Sequence, residues 1–440
     1  MKRFWIETYG CQMNVHDSEK LAGLLTEMGY KSSSEEKEAD IILLNTCTVR
    51  EKAAQKVYTK LGRINQLRSK KPSLIIGVCG CLAQQEGARL FRRAPYINFV
   101  LGSRALTKLP EIIDDITKTG EKAIDLSCSI ESTQFNHSCI KRGSPFQAFI
   151  TIMEGCNNFC SYCIVPYVRG REIYRPAAQI LNEISSLAKE GYKEIILLGQ
   201  NVNSYYESSN EETNFVRLLR LANQIEGIQR IRFVTSHPKD FSLTLVQAIK
   251  EGERICNHIH LPLQSGSSRI LQMMNRGYDR KGYMEKIYWL KNNLFPLSIT
   301  TDIIVGFPGE TEEDYQQTLN LVKEVEFDGI YSFKYCPRPY TAAFKLGDSV
   351  APEEKSWRLT ELQEVQKAIQ IKKNKELIGK KVEVLTEGFS HKDKKELMGR
   401  TATNKIVNFP AKTELMGQII QVEITEAGPN SLRGQISEKA

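Results

Sequence analysis

The sequence predicts an α/β protein in three parts: a small N-terminal α/β domain with a parallel sheet, a central partial (βα)6 TIM-like barrel, and a small C-terminal OB-like β-barrel. Strand and helix patterns alternate over residues 1–120, and the alternation restarts after residue 142. Short β-rich runs replace it after residue 376. With 440 residues the chain is long enough for several domains, which we place at 1–120, 142–375 and 376–440.

The N-terminal part alternates apolar strands with helices, which is typical of parallel pairing. Ser127–Ser144 has no clear period and is interpreted as a linker. We expect helices such as Ser18–Met28 and Val49–Arg68 between strands at Phe4–Thr8, Ile41–Leu44, Leu74–Val78 and Asn98–Leu101.

Six strand-then-helix units follow, and they indicate an open or partial barrel. The predicted strands are Gln147–Met153, Glu194–Leu198, Arg230–Val234, His258–Leu261, Ile299–Val305 and Ile330–Tyr335. A charged helix at about Pro352–Leu377 then leads to the C-terminal part. There, turn residues separate four β-rich runs, as in a small barrel: Lys381–Leu385, Ile406–Phe409, Ile419–Ile424 and Arg433–Ile436.

Composition excludes several classes of protein. The chain is 41% hydrophobic and 25% charged, an ordinary balance for a globular protein. No apolar run approaches the ~18 residues of a membrane helix, and Lys2 and Arg3 precede any signal-like apolar region. We therefore expect a cytoplasmic protein with reduced thiols and no disulfide framework.

The net charge of +8 is concentrated at the two ends of the chain. A basic stripe on and after the helix at Val49–Arg68 could contact phosphates, although charge alone favours a solvated helix face. Its members are Arg50, Lys52, Lys56, Lys60, Arg63, Arg68, Lys70 and Lys71.

Three thiols crowd into one loop after the first strand of the central part: Cys156-Asn157-Asn158-Phe159-Cys160-Ser161-Tyr162-Cys163. Thiolates this close would repel one another, and a metal removes that cost. Zinc normally takes four ligands, whereas three thiolates suit a four-iron cluster with one open iron. We therefore expect a cluster at Cys156, Cys160 and Cys163 rather than zinc or a redox dithiol.

The spacing Cys-x3-Cys-x-aromatic-Cys resembles the signature of the radical S-adenosylmethionine (SAM) superfamily, with Tyr162 as the aromatic residue. The resemblance implies that SAM chelates the open iron, and that an electron from the cluster cleaves SAM to a 5′-deoxyadenosyl radical. No catalytic side chain beyond the cluster ligands is expected.

Glycines and polar residues recur after the other barrel strands, where βα barrels carry functional residues. Any one of these loops could be an ordinary turn, but five in register with the cysteine loop favour an active rim. The resemblance implies SAM contacts from the loop and the rim: Tyr162, Gly199, Gln200, Asn201, Ser236, Gln264 and Ser265.

Cysteines also follow the first three N-terminal strands. They are Cys11, Cys47 and, after the third strand, either Cys79 or Cys81. Parallel strands bring their carboxyl ends to one edge of a sheet, so three of these thiols could converge. Three unrelated thiols are the alternative, and neither spacing nor chemistry chooses between Cys79 and Cys81.

Three strings around these thiols resemble the cysteine motifs of the methylthiotransferase family: Gly10-Cys11-Gln12-Met13-Asn14, Asn45-Thr46-Cys47 and Gly80-Cys81. The resemblance selects Cys81 and implies that Cys11, Cys47 and Cys81 bind a second [4Fe-4S] cluster, which holds the sulfur to be inserted. It covers nearly the whole chain and implies that the C-terminal barrel is an RNA-binding TRAM domain.

Further strings resemble the branch of the family that acts on tRNA, among them Val165-Pro166-Tyr167-Val168-Arg169-Gly170 and Leu261-Pro262-Leu263-Gln264-Ser265-Gly266. They imply insertion of sulfur and a methyl group at carbon 2 of N6-isopentenyladenosine next to the anticodon. Threonylcarbamoyladenosine is the alternative substrate, and an iron–sulfur RNA-binding regulator and a zinc scaffold are the alternatives of other classes. The implied partners are SAM, the tRNA anticodon stem-loop, and electron and sulfur donors of unknown identity, acting on a monomer.

The sequence departs from the family pattern in one loop. The family usually reads Arg-Pro-Gly-Thr-Pro-Ala-Ala after the sixth barrel strand, and this chain reads Arg338-Pro339-Tyr340-Thr341-Ala342-Ala343. Because Gly and Pro have special backbone preferences, we expect a changed loop conformation and an altered substrate fit at the rim.

Overall fold

The structure is a computed structural model that describes residues 1–48, 51–127, 140–208, 212–390 and 393–437, and the backbone alone of residues 51–54. Most of the segment interpreted as a linker lies outside these residues. The chain divides into two units. The first comprises Met1–Gly143, Glu154–Asn157 and Ile164–Ile173, and the second comprises Ser144–Met153, Asn158–Cys163 and Tyr174–Ala440.

Strands and helices alternate in the N-terminal part. In chain order they are β1 (Arg3–Tyr9), α1 (Gln12–Glu27), β2 (Lys31–Ser32), β3 (Ile41–Thr46), α2 (Glu51–Lys70), β4 (Ile75–Gly80), α3 (Cys81–Glu86), α4 (Arg89–Arg93), β5 (Phe99–Leu101), α5 (Leu109–Thr119) and β6 (Ala123–Asp125). The strands form one parallel sheet in the order β2-β1-β3-β4-β5-β6. The predicted parallel sheet is confirmed. The sequence pattern missed β2 and β6, which are only two and three residues long.

The middle of this sheet is buried on both faces. Every residue of β3 is buried, and its apolar side chains alternate between two cores, as in a parallel sheet covered by helices on both sides. Ile41 and Leu43 pack in the core that contains Leu21 of α1. Ile42 and Leu44 pack in the other core, which receives apolar side chains of α2. This double cover holds the ends of β1, β3 and β4 in fixed positions.

The elements of the central part follow the same alternation. They are β7 (Gln147–Thr151), β8 (Met153–Glu154), α6 (Val165–Val168), β9 (Ile173–Tyr174), α7 (Ala177–Lys189), β10 (Glu194–Leu198), β11 (Tyr206–Glu207), β12 (Thr213–Asn214), α8 (Phe215–Asn223), β13 (Arg230–Phe233), α9 (Leu243–Glu251), β14 (His258–His260), α10 (Ser268–Met273), α11 (Arg280–Asn293), β15 (Ser298–Val305), α12 (Glu312–Val325), β16 (Gly329–Lys334) and α13 (Pro352–Lys375).

The six predicted barrel strands are present as two parallel sheets, β7-β10-β13 and β14-β15-β16. A parallel bridge also joins Ile231 of β13 to Ile255, in the segment that leads to β14. One hydrophobic core runs through both sheets and their helices, and Leu362 and Ile369 of α13 belong to it. The carboxyl ends of these strands carry the loops that the sequence predicted to be functional.

The C-terminal part is a closed five-stranded barrel, as predicted. Its strands are β17 (Lys381–Phe389), β18 (Glu396–Thr401), β19 (Ile406–Pro410), β20 (Ile419–Ala427) and β21 (Leu432–Ile436), in the order β17-β18-β19-β21-β20. The sequence pattern missed β18, because Arg400 and Gly399 interrupt its apolar pattern. None of the described helices combines membrane-spanning length with sufficient hydropathy.

Replacing Gly77 in β4 by alanine should destabilise the first unit. A Cβ at Gly77 would overlap the fully buried ring of Phe99, and overpacking of this kind costs about 1–3 kcal/mol. Gly62→Ala in α2 is the matched control, because the described residues leave open space there. It should raise the free energy of unfolding by about 0.5–1 kcal/mol. Urea unfolding of the full chain measures both changes, and equal midpoints for the two variants would contradict the packing described here.

Candidate functional site

Three cysteines of the N-terminal part lie at the carboxyl edge of the first sheet. Cys11 follows β1, Cys47 follows β3, and Cys81 opens α3 directly after β4. These strands are neighbours, because Thr46 of β3 pairs with the last residue of β1 and with Gly80 of β4. The structure therefore brings these three cysteines to one place.

Cys79, the rival of Cys81, lies elsewhere. Its side chain is fully buried in the hydrophobic core with Phe4, Ile41 and Phe99. Burial raises the pKa of the Cys79 thiol, because the charged thiolate would lose its hydration in this apolar surrounding. The geometry therefore favours Cys81 over Cys79 as the third member of the set.

Within this set, the thiol of Cys47 lowers the pKa of the Cys11 thiol. A hydrogen bond with Cys47 is the main cause that lowers the pKa of Cys11 to about 6, and the positive charge of Arg169 contributes. Because the thiolate is the form that binds metals, a lowered pKa prepares Cys11 as a ligand. A Cβ at Gly10 would lie 2.9 Å from the Cβ of Cys47, so glycine lets these two cysteines approach.

Arg169 is a buried cation beside this set. Its Nε donates to Sγ of Cys81 over 3.3 Å, and its Nη2 donates to Oδ2 of Asp17 over 2.6 Å. Within the described residues, Nη1 of Arg169 and Oδ1 of Asp17 are buried without a hydrogen-bond partner. Buried polar atoms normally have partners, so both atoms are available to a bound group.

The donor set fits an iron–sulfur cluster better than a single ion. In the described part of the chain, no three His, Cys, Asp or Glu side chains are close enough together to hold one metal ion. Thiolates around a four-iron cluster are farther apart, because each binds a different iron. Thiol-only donors also disfavour hard cations such as magnesium.

The cysteine loop of the central part is shared between the two units: Cys156 belongs to the first, and Cys160 and Cys163 belong to the second. Gly155 has φ of 82°, and a Cβ there would overlap the carbonyl group of Arg171, so glycine is required before Cys156. The amide of Cys163 donates to the carbonyl oxygen of Cys160 over 2.9 Å, which closes a turn between these two thiols.

The end of α10 holds this turn in the second unit. Ser161 donates from its amide to the carbonyl oxygen of Met274 over 2.9 Å, and from Oγ to that of Met273 over 2.8 Å. The carbonyl oxygen of Ser161 accepts from the amide of Ala343 over 2.7 Å. The loop that contains Tyr340 is therefore fixed to the cysteine turn.

Cys160 faces a second buried arginine. Nη1 of Arg276 donates to Sγ of Cys160 over 3.2 Å and to the hydroxyl oxygen of Tyr162 over 3.2 Å. Nε2 of His237 lies 4.0 Å from the same sulfur. Burial and then the charge of Arg276 lower the pKa of His237 to about 2, which keeps the ring neutral at physiological pH.

Three of the predicted SAM-contacting residues have features that are useful at the rim: Gly199 allows close packing of the backbone, and Asn201 and Ser236 carry buried polar atoms. A Cβ at Gly199 would lie 2.5 Å from the side chain of Met153, so the chain after β10 needs glycine. Asn201 donates to Asp240 over 2.8 Å. Within the described residues, its Oδ1 and the Oγ of Ser236 are buried without a hydrogen-bond partner. These two oxygens suit a polar ligand such as the amino or ribose groups of SAM.

The other predicted SAM contacts are held within the fold. Gln264 has φ of 73° and bridges to β15 through its backbone, which bonds to Asp302 and Ile304. Ser265 is fully buried, and its Oγ lies 3.4 Å from the hydroxyl oxygen of Thr318 in α12. Gln200, next to Gly199, is half-buried.

The loop that departs from the family pattern has a left-handed residue at Tyr340. Tyr340 has φ of 73°, a left-handed conformation that glycine adopts freely and that costs other residues about 1–2 kcal/mol. Tyr340 is 60% exposed, and the apolar residues Phe344 and Leu346 are 51% and 52% exposed. The chain thus has a left-handed backbone at Tyr340 and presents the aromatic ring of this residue to solvent.

Sequence reasoning missed Asp17, Arg169 and Arg276 as site residues. Arg169 belongs to a sequence motif that indicated only the family, and Arg276 lies far from the cysteines in sequence. A possible signal was that each arginine precedes a glycine, Gly170 and Gly277, both with φ of 70°.

Three family descriptions match successive parts of the chain. Residues 3–102 match the uncharacterized protein family UPF0004, residues 150–322 match the radical SAM superfamily, and residues 375–437 match the TRAM domain. Membership of the radical SAM superfamily implies SAM and a [4Fe-4S] cluster.

Curated relatives are similar over nearly the whole chain. The tRNA-2-methylthio-N(6)-dimethylallyladenosine synthase of Syntrophus aciditrophicus (strain SB) is 48% identical over 435 residues, which are 99% of this chain and 94% of that protein. The synthase of the same name from Clostridium tetani (strain Massachusetts / E88) is 48% identical over 434 residues, 98% of this chain and 96% of that protein.

Solved structures share the fold at low sequence identity. The radical S-adenosylmethionine methyltransferase TsrM from Kitasatospora setae has a TM-score of 0.57 and 15% identity over 78% of this chain and 77% of that chain. The cobalamin-dependent S-adenosylmethionine radical enzyme OxsB has a TM-score of 0.50 and 13% identity over 83% of this chain and 56% of that chain.

Restoring glycine at Tyr340 should stabilise the protein. Tyr340→Gly removes the left-handed strain, and after the greater flexibility of an unfolded glycine the net gain should be up to about 1 kcal/mol. Tyr340→Ala is the control, because alanine loses the ring but keeps the Cβ that causes the strain. Thermal unfolding of the full chain measures the change, and a midpoint for Tyr340→Gly no higher than that of Tyr340→Ala would contradict it.

Proposed function

Because this chain belongs to the family of the tRNA-2-methylthio-N(6)-dimethylallyladenosine synthases, we propose that its two sets of three cysteines each hold one [4Fe-4S] cluster. The chain is a radical SAM tRNA methylthiotransferase, and its product is the 2-methylthio derivative of N6-dimethylallyladenosine. The proposal assigns Cys156, Cys160 and Cys163 to one cluster, and Cys11, Cys47 and Cys81 to the other.

The assignment of the second set is carried by one observation. Three thiols from the ends of neighbouring parallel strands meet beside a buried arginine. The guanidinium group of Arg169 donates to one of these thiols, and a donor at the sulfur stabilises the thiolate, the form in which cysteine binds iron. When bound, the two clusters supply an open iron for SAM cleavage and a holding site for the sulfur that is inserted.

The protein's own residues position the substrates around these thiols. We propose that SAM contacts Tyr162 of the cysteine loop and five rim residues with buried or restricted polar groups: Gly199, Gln200, Asn201, Ser236 and Gln264. Ser265 remains in the set, although its bond to Thr318 gives it a structural role as well. This part of the proposal is supported most directly by the buried side-chain oxygens of Asn201 and Ser236, which lack hydrogen-bond partners among the described residues.

We propose that the tRNA binds through its anticodon stem-loop, and that the target adenine leaves its stack to reach the rim. The TRAM barrel and the basic stripe on α2 would hold phosphates. Within the stripe, Lys60 pairs with Glu7, Lys71 with Asp40, and Arg68 donates to carbonyl oxygens. The exposed members Lys56, Arg63 and Lys70 are the better candidates, and Arg50 lies outside the described residues.

The reaction would take place on a monomer in the cytoplasm, with a separate electron donor and a separate sulfur donor. Cleavage of SAM needs one electron per event, and each product consumes one sulfur atom, so both donors are required by the balance of the reaction.

Single cysteine variants should separate the two steps. Cys160→Ala should abolish SAM cleavage, because it removes a proposed ligand of the cluster that binds SAM. Cys47→Ala should leave SAM cleavage intact and block sulfur insertion. Cys79→Ala is the matched control, because Cys79 is close to Cys81 in sequence but is buried in the hydrophobic core. This variant should keep both SAM cleavage and sulfur insertion. Chromatography of 5′-deoxyadenosine and of tRNA nucleosides measures the two steps, and methylthiolated product from Cys47→Ala would show that the two-cluster assignment is wrong.

Charge reversal on α2 should weaken tRNA binding. Lys56→Glu and Arg63→Glu should each lower the affinity and reduce the slope of log affinity against log salt by about 1 if the side chain contacts a phosphate. Lys118→Glu on the exposed face of α5 is the control with the same charge change. Filter binding with an anticodon stem-loop at several salt concentrations gives the slopes. Unchanged slopes for both α2 variants would leave the stripe as a solvated helix face.

A further inference from the structure

Each set of cysteines is accompanied by one buried arginine that bonds to one of its thiols. In the first unit, Nε of Arg169 lies 3.3 Å from Sγ of Cys81. In the second unit, Nη1 of Arg276 lies 3.2 Å from Sγ of Cys160. The two arginines are only 2% and 4% exposed. Buried guanidinium groups are rare unless an anion offsets their charge, and a thiolate beside either arginine would be such an anion.

The chain places the two arginines in the same local way. Gly170 follows Arg169 and Gly277 follows Arg276, and both glycines have φ of 70°. This left-handed step turns the backbone immediately after each arginine. At Gly170 a side chain is also excluded by space, because a Cβ would lie 2.6 Å from the guanidinium group of Arg104.

The two arginines differ in their other partners. Arg169 pairs with the buried carboxylate of Asp17, so the pair is close to neutral. Arg276 donates to neutral groups, the hydroxyl oxygens of Tyr162 and Tyr278 and the carbonyl oxygen of Pro262. The cluster at Cys160 would therefore face a full positive charge, and the cluster at Cys81 a partly cancelled one.

We propose that Arg169 and Arg276 are positioning residues that raise the reduction potentials of the two iron–sulfur sites independently, Arg169 at the Cys11/Cys47/Cys81 site and Arg276 at the Cys156/Cys160/Cys163 site. The inference rests on the ligand assignment proposed above. Hydrogen bonds and positive charge at the sulfurs of a cluster favour its reduced state, which carries one more negative charge. Asp17 acts in the opposite direction on the first of these sites.

Single-cluster backgrounds of the full chain allow each site to be measured alone. Changing Cys156, Cys160 and Cys163 to alanine leaves the N-terminal site, and changing Cys11, Cys47 and Cys81 leaves the other. Each background is reconstituted anaerobically with iron and sulfide, and its midpoint potential is measured by redox titration with EPR detection. If the two backgrounds do not each hold one cluster, the ligand assignment is wrong, and this inference fails with it.

Arg276→Gln should lower the potential only in the background with the Cys160 site, and Arg169→Gln only in the background with the Cys81 site. We expect the ratio of reduced to oxidised cluster at a fixed potential to fall about tenfold, which is about 59 mV for a one-electron couple. Asp17→Asn should raise the potential of the Cys81 site. If Arg169 and Asp17 had only structural roles, Arg169→Gln and Asp17→Asn would not shift the midpoint potential in opposite directions.

Arg175→Gln is the matched control. Arg175 is fully buried, but its bonds go to Glu183 and to carbonyl oxygens. It should leave both potentials unchanged. If a glutamine variant holds too little iron to titrate, the lysine variant keeps the charge and should keep the native potential. Unchanged potentials in the glutamine variants, shifts at both sites from one substitution, or an equal effect of Arg175→Gln would overturn the inference.

Discussion

Negative charges that share a small volume repel one another, and both candidate sites depend on how this repulsion is offset. Cys11 and Cys47 are in hydrogen-bond contact, and Cys81 joins them from the next strand. Metal would remove much of the repulsion between their thiolates, and Arg169 removes more of it in advance. The same logic applies to Cys160, which faces Arg276. In the proposed sites, two kinds of positive charge, one from metal and one from protein, would thus act on the same sulfurs.

The parallel sheet supplies the geometry for this arrangement. Its central strands are covered on both faces, so their ends are fixed by two hydrophobic cores rather than by the thiols themselves. The proposed cluster ligands would then be held in place before a cluster binds, which would lower the free-energy cost of ordering the site. In the second unit the end of α10 and the loop around Ala343 hold the cysteine turn in a similar way. Function thus rests on rigid edges of the fold, as is usual for α/β proteins.

The sequence was sufficient for much of the fold, because regular alternation is a strong local signal. Short strands such as β2 and β6 could not be predicted in this way, because two or three exposed or partly exposed residues are too few to show a hydrophobic period. The choice of Cys81 over Cys79 could be made only by resemblance, because the two differ in which side of a strand end they occupy, and spacing does not encode that. The sequence could not predict the role of Arg276 for another reason. Arg276 lies more than a hundred residues from Cys160, and only tertiary folding brings the two residues together.

The altered loop shows how a departure from a family pattern can be read physically. The sequence predicted a changed loop conformation because Gly and Pro are missing, but the left-handed backbone and the exposure of Tyr340 could be seen only in the structure. The left-handed backbone at Tyr340 is a cost in stability.

Nucleoside mass spectrometry of tRNA tests the central claim most directly. The host should lack its own adenosine methylthiotransferases and should be compared with and without the gene for this chain. We expect 2-methylthio-N6-dimethylallyladenosine to appear only when the chain is present. Methylthiolation of threonylcarbamoyladenosine instead, or no methylthiolated nucleoside from protein that contains its iron, would contradict the assigned reaction.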